Sequence, residues 1–184
     1  MPEKNRKQYA LRFLMWTYIV SMVMIFAGLT SAYLVRKGEG NWLEFSLPRI
    51  FTWTTALLVL SSGTIHWAYR SAQHDRWGQL NIALWLTTFL GVAFLTGQIL
   101  GWQELVAMDV YLVGNPSGSF LYILTGMHAV HIVGALIAVF AMSIRAIQYK
   151  ISSQAMVGLQ LTVIFWHALD FLWLYLFVFL QVTH

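Results

Sequence analysis

The chain has 184 residues, 59% of them hydrophobic and only 10% charged, with a formal net charge of +4. Soluble domains carry roughly a quarter charged residues, so a water-soluble enzyme is excluded. Cysteine is absent, which removes disulfides, thiolate metal sites, cysteine nucleophiles and the usual c-type haem attachment motif.

The positive charge gathers at the N-terminus, in Lys4, Arg6, Lys7 and Arg12. Next to a hydrophobic run, such a tail marks the cytoplasmic side of a membrane rather than a nucleic-acid contact. The run itself, about 13–35, is longer than the ~7–15 residues of a secretory signal core. It ends in Arg36-Lys37 instead of a cleavage site, so it reads as a first membrane span. A span needs ~20 mainly apolar residues. Four more stretches qualify, at about 50–69, 80–103, 119–144 and 155–182. The fold class expected is all-α: an integral membrane bundle of five transmembrane helices, with residues 1–184 forming a single membrane domain. The third and fifth stretches are long enough to tilt or protrude. Turn and charge signals separate the spans at 36–49, 70–79, 104–119 and 145–154. Within the third break, Gly114-Asn115-Pro116-Ser117-Gly118 is a loop, with Ser117 or Ser119 as the expected cap of the fourth helix.

Basic residues set the expected orientation. With the N-terminus inside, Lys4, Arg6, Lys7, Arg12, Arg70, Arg76, Arg145 and Lys150 lie inside, while Arg36, Lys37 and Arg49 lie outside. The positive-inside rule therefore predicts N-terminus in, C-terminus out.

Polar side chains at membrane depth face protein or a polar path. The candidates are His66, Gln98, His128, His131, His167 and Asp170. His128 and His131 lie three apart on the fourth helix, and His167 and Asp170 repeat that spacing on the fifth. Counting ~1.5 Å per residue from each helix end places all four near mid-membrane, which makes an interhelical His–Asp contact feasible. His66 is expected near the inner interface, and Glu104 and Asp109 on the outer face. A haem held by His131 and His167 is the ligand-binding alternative. A zinc site is disfavoured, because catalytic zinc takes three protein ligands and an open position. Gly28, Ser31 and Ala32 on the first helix, and Gly126, Ala129 and Gly134 on the fourth, are expected at close helix crossings. Trp16, Trp42, Trp53, Trp67, Trp77, Trp102 and Trp166 are read as lying near ends or faces, several as interfacial anchors. Met15, Met22 and Met24 are read as packing or lipid contacts.

Two stretches are more specific. TGMHAVHIVGALI and WHALDFLWLYLFVF together resemble subunit III of the haem–copper oxidases, the cytochrome c oxidase type. The family's T-G-x-H-x-x-H-x-x-G pattern falls on Thr125, Gly126, His128, His131 and Gly134. Its W-H-x-x-D-x-x-W pattern falls on Trp166, His167, Asp170 and Trp173. The loop GNPSGSF (114–120) and, more loosely, Ser62-Gly63 with Trp67-Ala68 also fit. The resemblance runs from about residue 10 to 183 and is to the short five-helix bacterial form, many members having seven helices. Two departures stand out: Met22 occupies the place of a buried glutamate, and Gly101 that of an acidic residue, with Glu104 beyond it. Gln98 resembles a family glutamine.

The resemblance implies a non-catalytic subunit, with no active site of its own, in the bacterial inner membrane. It would pack on oxidase subunit I, beside subunit II and other respiratory-complex subunits. Haems and copper would sit in the partner subunits, with structural phospholipids and no metal on this chain. Its implied role is to bind lipids, support proton uptake and protect the active site during proton-pumping O2 reduction in aerobic electron transport. His128, His131, His167, Asp170, Gln98 and Glu104 would then be structural or proton-related polar contacts. Three alternatives stay open: the accessory subunit of a nitric oxide reductase, a membrane b-type cytochrome using His131 and His167, and a small transporter built on His167, Asp170 and Gln98.

Overall fold

The computed structural model describes residues 3–149, 151 and 156–183, with the side chains of residues 3–5 left aside. Five helices follow one another: α1 (Glu3–Gly38), α2 (Ile50–Gln73), α3 (Trp77–Ala107), α4 (Pro116–Ile147) and α5 (Val157–Thr183). No strand occurs among the described residues. The five expected stretches are all helical, each extending beyond its apolar run at one end or both. Helix α3 continues to Ala107 and carries Glu104 as an exposed residue of its last turns rather than of a loop. The expected start of the fifth helix at 155 and the inner charge Lys150 lie outside the described residues.

Four of the helices, α1, α3, α4 and α5, are long and apolar enough to cross a membrane. Helix α2 is not among them, since threonines and serines interrupt its apolar residues. It lies against α3 and α5, and α4 packs on α3 and α5 in turn. Helix α1 touches only α4 and α5 among the described residues. Its 36 residues amount to ~54 Å of helix against a hydrocarbon core of ~30 Å, so it reaches well beyond the apolar layer.

Sequence chemistry accounts for the turns. The N-cap of α4 is Asn115, whose side chain accepts from the Ser117 N–H at 3.0 Å, with Pro116 in the first turn. This corrects the expected Ser117 or Ser119 cap. Proline is pre-set for the first helical position, so the residue before it becomes the cap. Asn115 also accepts from the Leu43 N–H and donates to the Asn41 carbonyl, binding the α1–α2 loop to the start of α4. Trp42 from that loop packs edge-on against Tyr33, 4.7 Å between ring centroids.

The tight helix crossings are not where the glycines of α1 and α4 suggested. A Cβ at Gly28, Gly126 or Gly134 would meet nothing within 4 Å, and Ser31 and Ala32 are exposed. Of that set Ala129 is buried. The close approaches belong to α3. A Cβ at Gly91 would fall 2.7 Å from Leu136 and 2.8 Å from Trp166, one at Gly97 would overlap the Thr54 methyl, and one at Gly101 would press on Phe51 at 3.0 Å. Glycine here lets α2 and the Trp166 ring approach the α3 backbone. Trp166 itself is fully buried at the centre of the bundle rather than near an end, while Trp16 and Trp53 are largely exposed. Met22 is buried in the core, Met24 is exposed and Met15 is partly buried.

Candidate functional site

The W-H-x-x-D-x-x-W stretch turns three of its side chains onto α2. Trp166 donates its indole N–H to Ser61 Oγ at 3.0 Å, and Trp173 donates to Thr55 Oγ1 at 2.9 Å. His167 Nδ1 lies 2.8 Å from Ser62 Oγ. From α3, Gln98 Nε2 donates to Thr54 Oγ1 at 3.2 Å, and Thr87 pairs with Thr64 at 2.7 Å. Helix α2 thus presents Thr54, Thr55, Ser61, Ser62 and Thr64 as a row of hydroxyls, each bonded to a side chain of a neighbouring helix. The sequence reading singled out Ser62 only loosely and missed the rest. The signal was present: positions 54 and 61, and 55 and 62, are two helical turns apart and so share a face.

The T-G-x-H-x-x-H-x-x-G stretch joins this layer through one histidine. His128 is fully buried, its ring 4.9 Å from Trp173 and 5.9 Å from Phe94. Neither of its ring nitrogens has a hydrogen-bond partner. Thr125, one turn earlier, accepts from the Trp102 indole at 3.1 Å. His131 faces the other way, with Nδ1 2.7 Å from the Met127 carbonyl and its ring beside Tyr18 and Phe26 of α1. Positions three apart differ by about 60° around a helix. At a corner where α4 meets several neighbours, that angle divides the pair between two interfaces.

Asp170 is buried, and the groups near it are His167 of its own helix, at 3.9 Å, and Ser62 of α2. The expected interhelical His–Asp contact is therefore not made by His128 or His131. What forms instead is an intrahelical His167–Asp170 pair facing a serine. His66 stands beside His167, 6.2 Å between centroids. Both line a cleft of about 490 Å³ with Arg12, Tyr69 and Gln160. There Arg12 donates to Gln160 Oε1 at 3.0 Å, and Gln160 donates to the Tyr69 hydroxyl at 3.3 Å. Gln98 is buried with its carbonyl oxygen unpartnered, whereas Glu104 and Asp109 are exposed.

The donor set does not gather around an ion. Among the described residues no three His, Asp or Glu side chains are placed to share a metal. His131 and His167, the pair considered for haem, sit in different interfaces, the first toward α1 and the second toward α2.

Along the seam of α1 and α5 the packing opens. A slot of about 530 Å³ runs between Val23, Phe26 and Ala27 on one side and Phe171 and Tyr175 on the other. A second, of about 570 Å³, lies on α5 alone, from Phe171 past Val178 to Thr183. The Thr30 and Tyr175 hydroxyls bond across the α1–α5 seam near its middle, at 3.0 Å. Lys37 donates to the Thr183 carbonyl at its far end.

Comparison with known proteins gives one consistent result. The family model described as cytochrome c oxidase subunit III matches residues 43–183. The chain is 29% identical to cytochrome c oxidase subunit 3 of Thermostichus vulcanus over 90% of this chain and 83% of that protein. It is 30% identical to a probable cytochrome c oxidase subunit 3 of Nocardia farcinica over 87% of this chain and 81% of that protein. With the subunit of Chondrus crispus the identity is 32%, over 67% of this chain and 44% of that protein.

Proposed function

The chain belongs to the cytochrome c oxidase subunit III family, and from that premise we propose that it is the non-catalytic subunit III of a bacterial respiratory haem–copper oxidase. It sits in the inner membrane with its N-terminus inside and its C-terminus outside, packed on subunit I, as one membrane unit over residues 1–184. The observation that carries this reading is the meeting of both motifs in one layer. His128 packs tilted against Trp173, and Trp166, His167 and Trp173 are engaged by hydroxyls of α2. Side chains bound to neighbouring helices specify a fold. Redox chemistry is left to partner subunits, which would hold the haems and copper.

Two further roles follow from the seam and the cleft. The apolar slot between α1 and α5, and the one along α5, fit acyl chains, and Arg12 beside the cleft fits a phosphate headgroup. In that cleft His66 and His167 face each other, with Ser62 and Asp170 behind them. This row of titratable and hydroxyl groups supports a part in proton supply to the complex. Met22 is buried in the core, so helix α1 contributes apolar packing there.

The test is recovery of the tagged chain from its own membranes in mild detergent, with mass spectrometry of its companions. A large haem–copper subunit I in stoichiometric yield is expected, with phospholipid retained. The catalytic partner's identity separates an oxidase from a nitric oxide reductase. Recovery without any such partner overturns the reading.

A further inference from the structure

Four helices carry enough apolar residues to cross a membrane on composition, and α2 is not one of them. Its inner face is also the most closely engaged in the bundle. Thr54 and Thr55 donate their own hydroxyl protons to the Phe51 carbonyl, and Ser61 donates to that of Leu58. Their oxygens remain as acceptors, and each receives one donor from outside: Gln98, Trp173 and Trp166. On the α3 side, Gly97 and Gly101 remove the side chains that would hold α2 away. Helix α2 packs on α3 and α5 and, among the described residues, on neither α1 nor α4.

We propose that α2 is a dependent membrane span, kept in the bilayer by the donors of α3 and α5 rather than by its own hydropathy. Gln98, Trp166 and Trp173 are the positioning residues of that clamp. An apolar helix inserts because its transfer to lipid is favourable. A helix rich in hydroxyls gains less from lipid, and what it lacks is supplied by neighbours that bond those hydroxyls. Two of the three donors lie on α5, the last helix in the chain, so the span would be secured only when α5 docks. The W-H-x-x-D-x-x-W motif thereby acquires a task inside the chain itself. The inference rests on packing and hydropathy and stands apart from the oxidase reading.

The chain has no cysteine, so single-cysteine reporters are clean. Ser46→Cys and His74→Cys flank α2 at exposed positions. In the full-length chain, a membrane-impermeant maleimide should reach them from opposite faces of the vesicle. In Gln98→Leu/Trp166→Phe/Trp173→Phe, the ratio of chains with both reporters on one face should rise about 27-fold, from roughly threefold per lost bond. Exposed Trp53→Phe and Trp85→Phe should leave the ratio unchanged. Opposite-face labelling retained in the triple variant overturns the proposal.

A rescue variant covers poor accumulation of the triple variant. Thr52→Leu/Ala56→Leu/Gly63→Leu raises the hydropathy of the exposed face of α2 and leaves the clamp untouched; Gly63 has open space around it. Combined with the triple variant, it should restore opposite-face labelling. Failure to restore it means that packing, not hydropathy, governs the span, and overturns the proposal.

Discussion

Where α2 meets α3 and α5, hydroxyls face indole and amide donors, and glycines admit methyl groups and rings. Where α1 meets α5, apolar side chains meet across a slot of about 530 Å³, with the Thr30–Tyr175 bridge among the polar links. The first region contains α2, which falls outside the helices long and apolar enough to cross a membrane, and the second α1, which is one of them. Close packing therefore does not track hydropathy in this bundle. Lipid is as apolar as leucine, so an apolar helix gains little by leaving lipid for protein, while a polar one gains bonds. The difference also divides labour. One region sets the fold, and the other leaves open space beside α1.

The sharpest way to break this contrast is to fill the tight side. Gly97→Leu should prevent recovery of folded chain, and Gly97→Ala should cost about 1–3 kcal/mol, the usual range for overpacking. Thermal midpoints of the purified chain in detergent measure it. A cost below that range would mean that the α2–α3 approach yields easily. Next in size, Asp170→Asn should lower recovery of the intact complex more than it alters the haem spectra of what is recovered. The side chain is buried beside His167 and Ser62, within the layer where α5 meets α2. Equal recovery would place Asp170 outside the fold-setting layer. Trp173→Phe keeps a ring beside His128 and Phe94 but removes the bond to Thr55, so about 1 kcal/mol of stability should go.

On the loose side the effects should shrink. Thr30→Val removes the bridge to Tyr175 at a cost of about 0.5 kcal/mol. Double-mutant comparison with Tyr175→Phe should show that the two act as one. Gly126→Ala points into open space, so the isolated chain should melt within about 0.5 kcal/mol of the parent. A larger loss would show that α4 has a neighbour on that face even in the purified chain.

Much of the architecture was legible because apolar run length is a direct physical demand of the bilayer. Four of the helices meet it outright and α2 only in part, while the special standing of the two C-terminal motifs came from their resemblance to the family. What was not legible depends on how each helix is rotated. Gly28 and Gly97 look equally able to admit a neighbour, yet only the second faces one. His128 and His131 share a helix face by spacing, but the corner between interfaces falls between them. The Asn115 cap was readable from Pro116 alone. The hydroxyl row of α2 was hidden by familiarity, since serine and threonine pass easily as fillers of a membrane helix when their own carbonyls can take the proton.

That last habit gives α2 a polarity of partners. Because Thr54, Thr55 and Ser61 already give their protons away, they can only be approached by something that brings one. An indole or a carboxamide turned nitrogen-first is accepted, while a carboxylate would set lone pair against lone pair. Gln98→Glu in its ionised form should therefore be refused at Thr54, although it changes one atom. Such a row works as a lock with a defined key sense. Any helix that offers acceptors in the places of Gln98, Trp166 and Trp173 is turned away, so the same hydroxyls that hold the right neighbours also reject wrong ones.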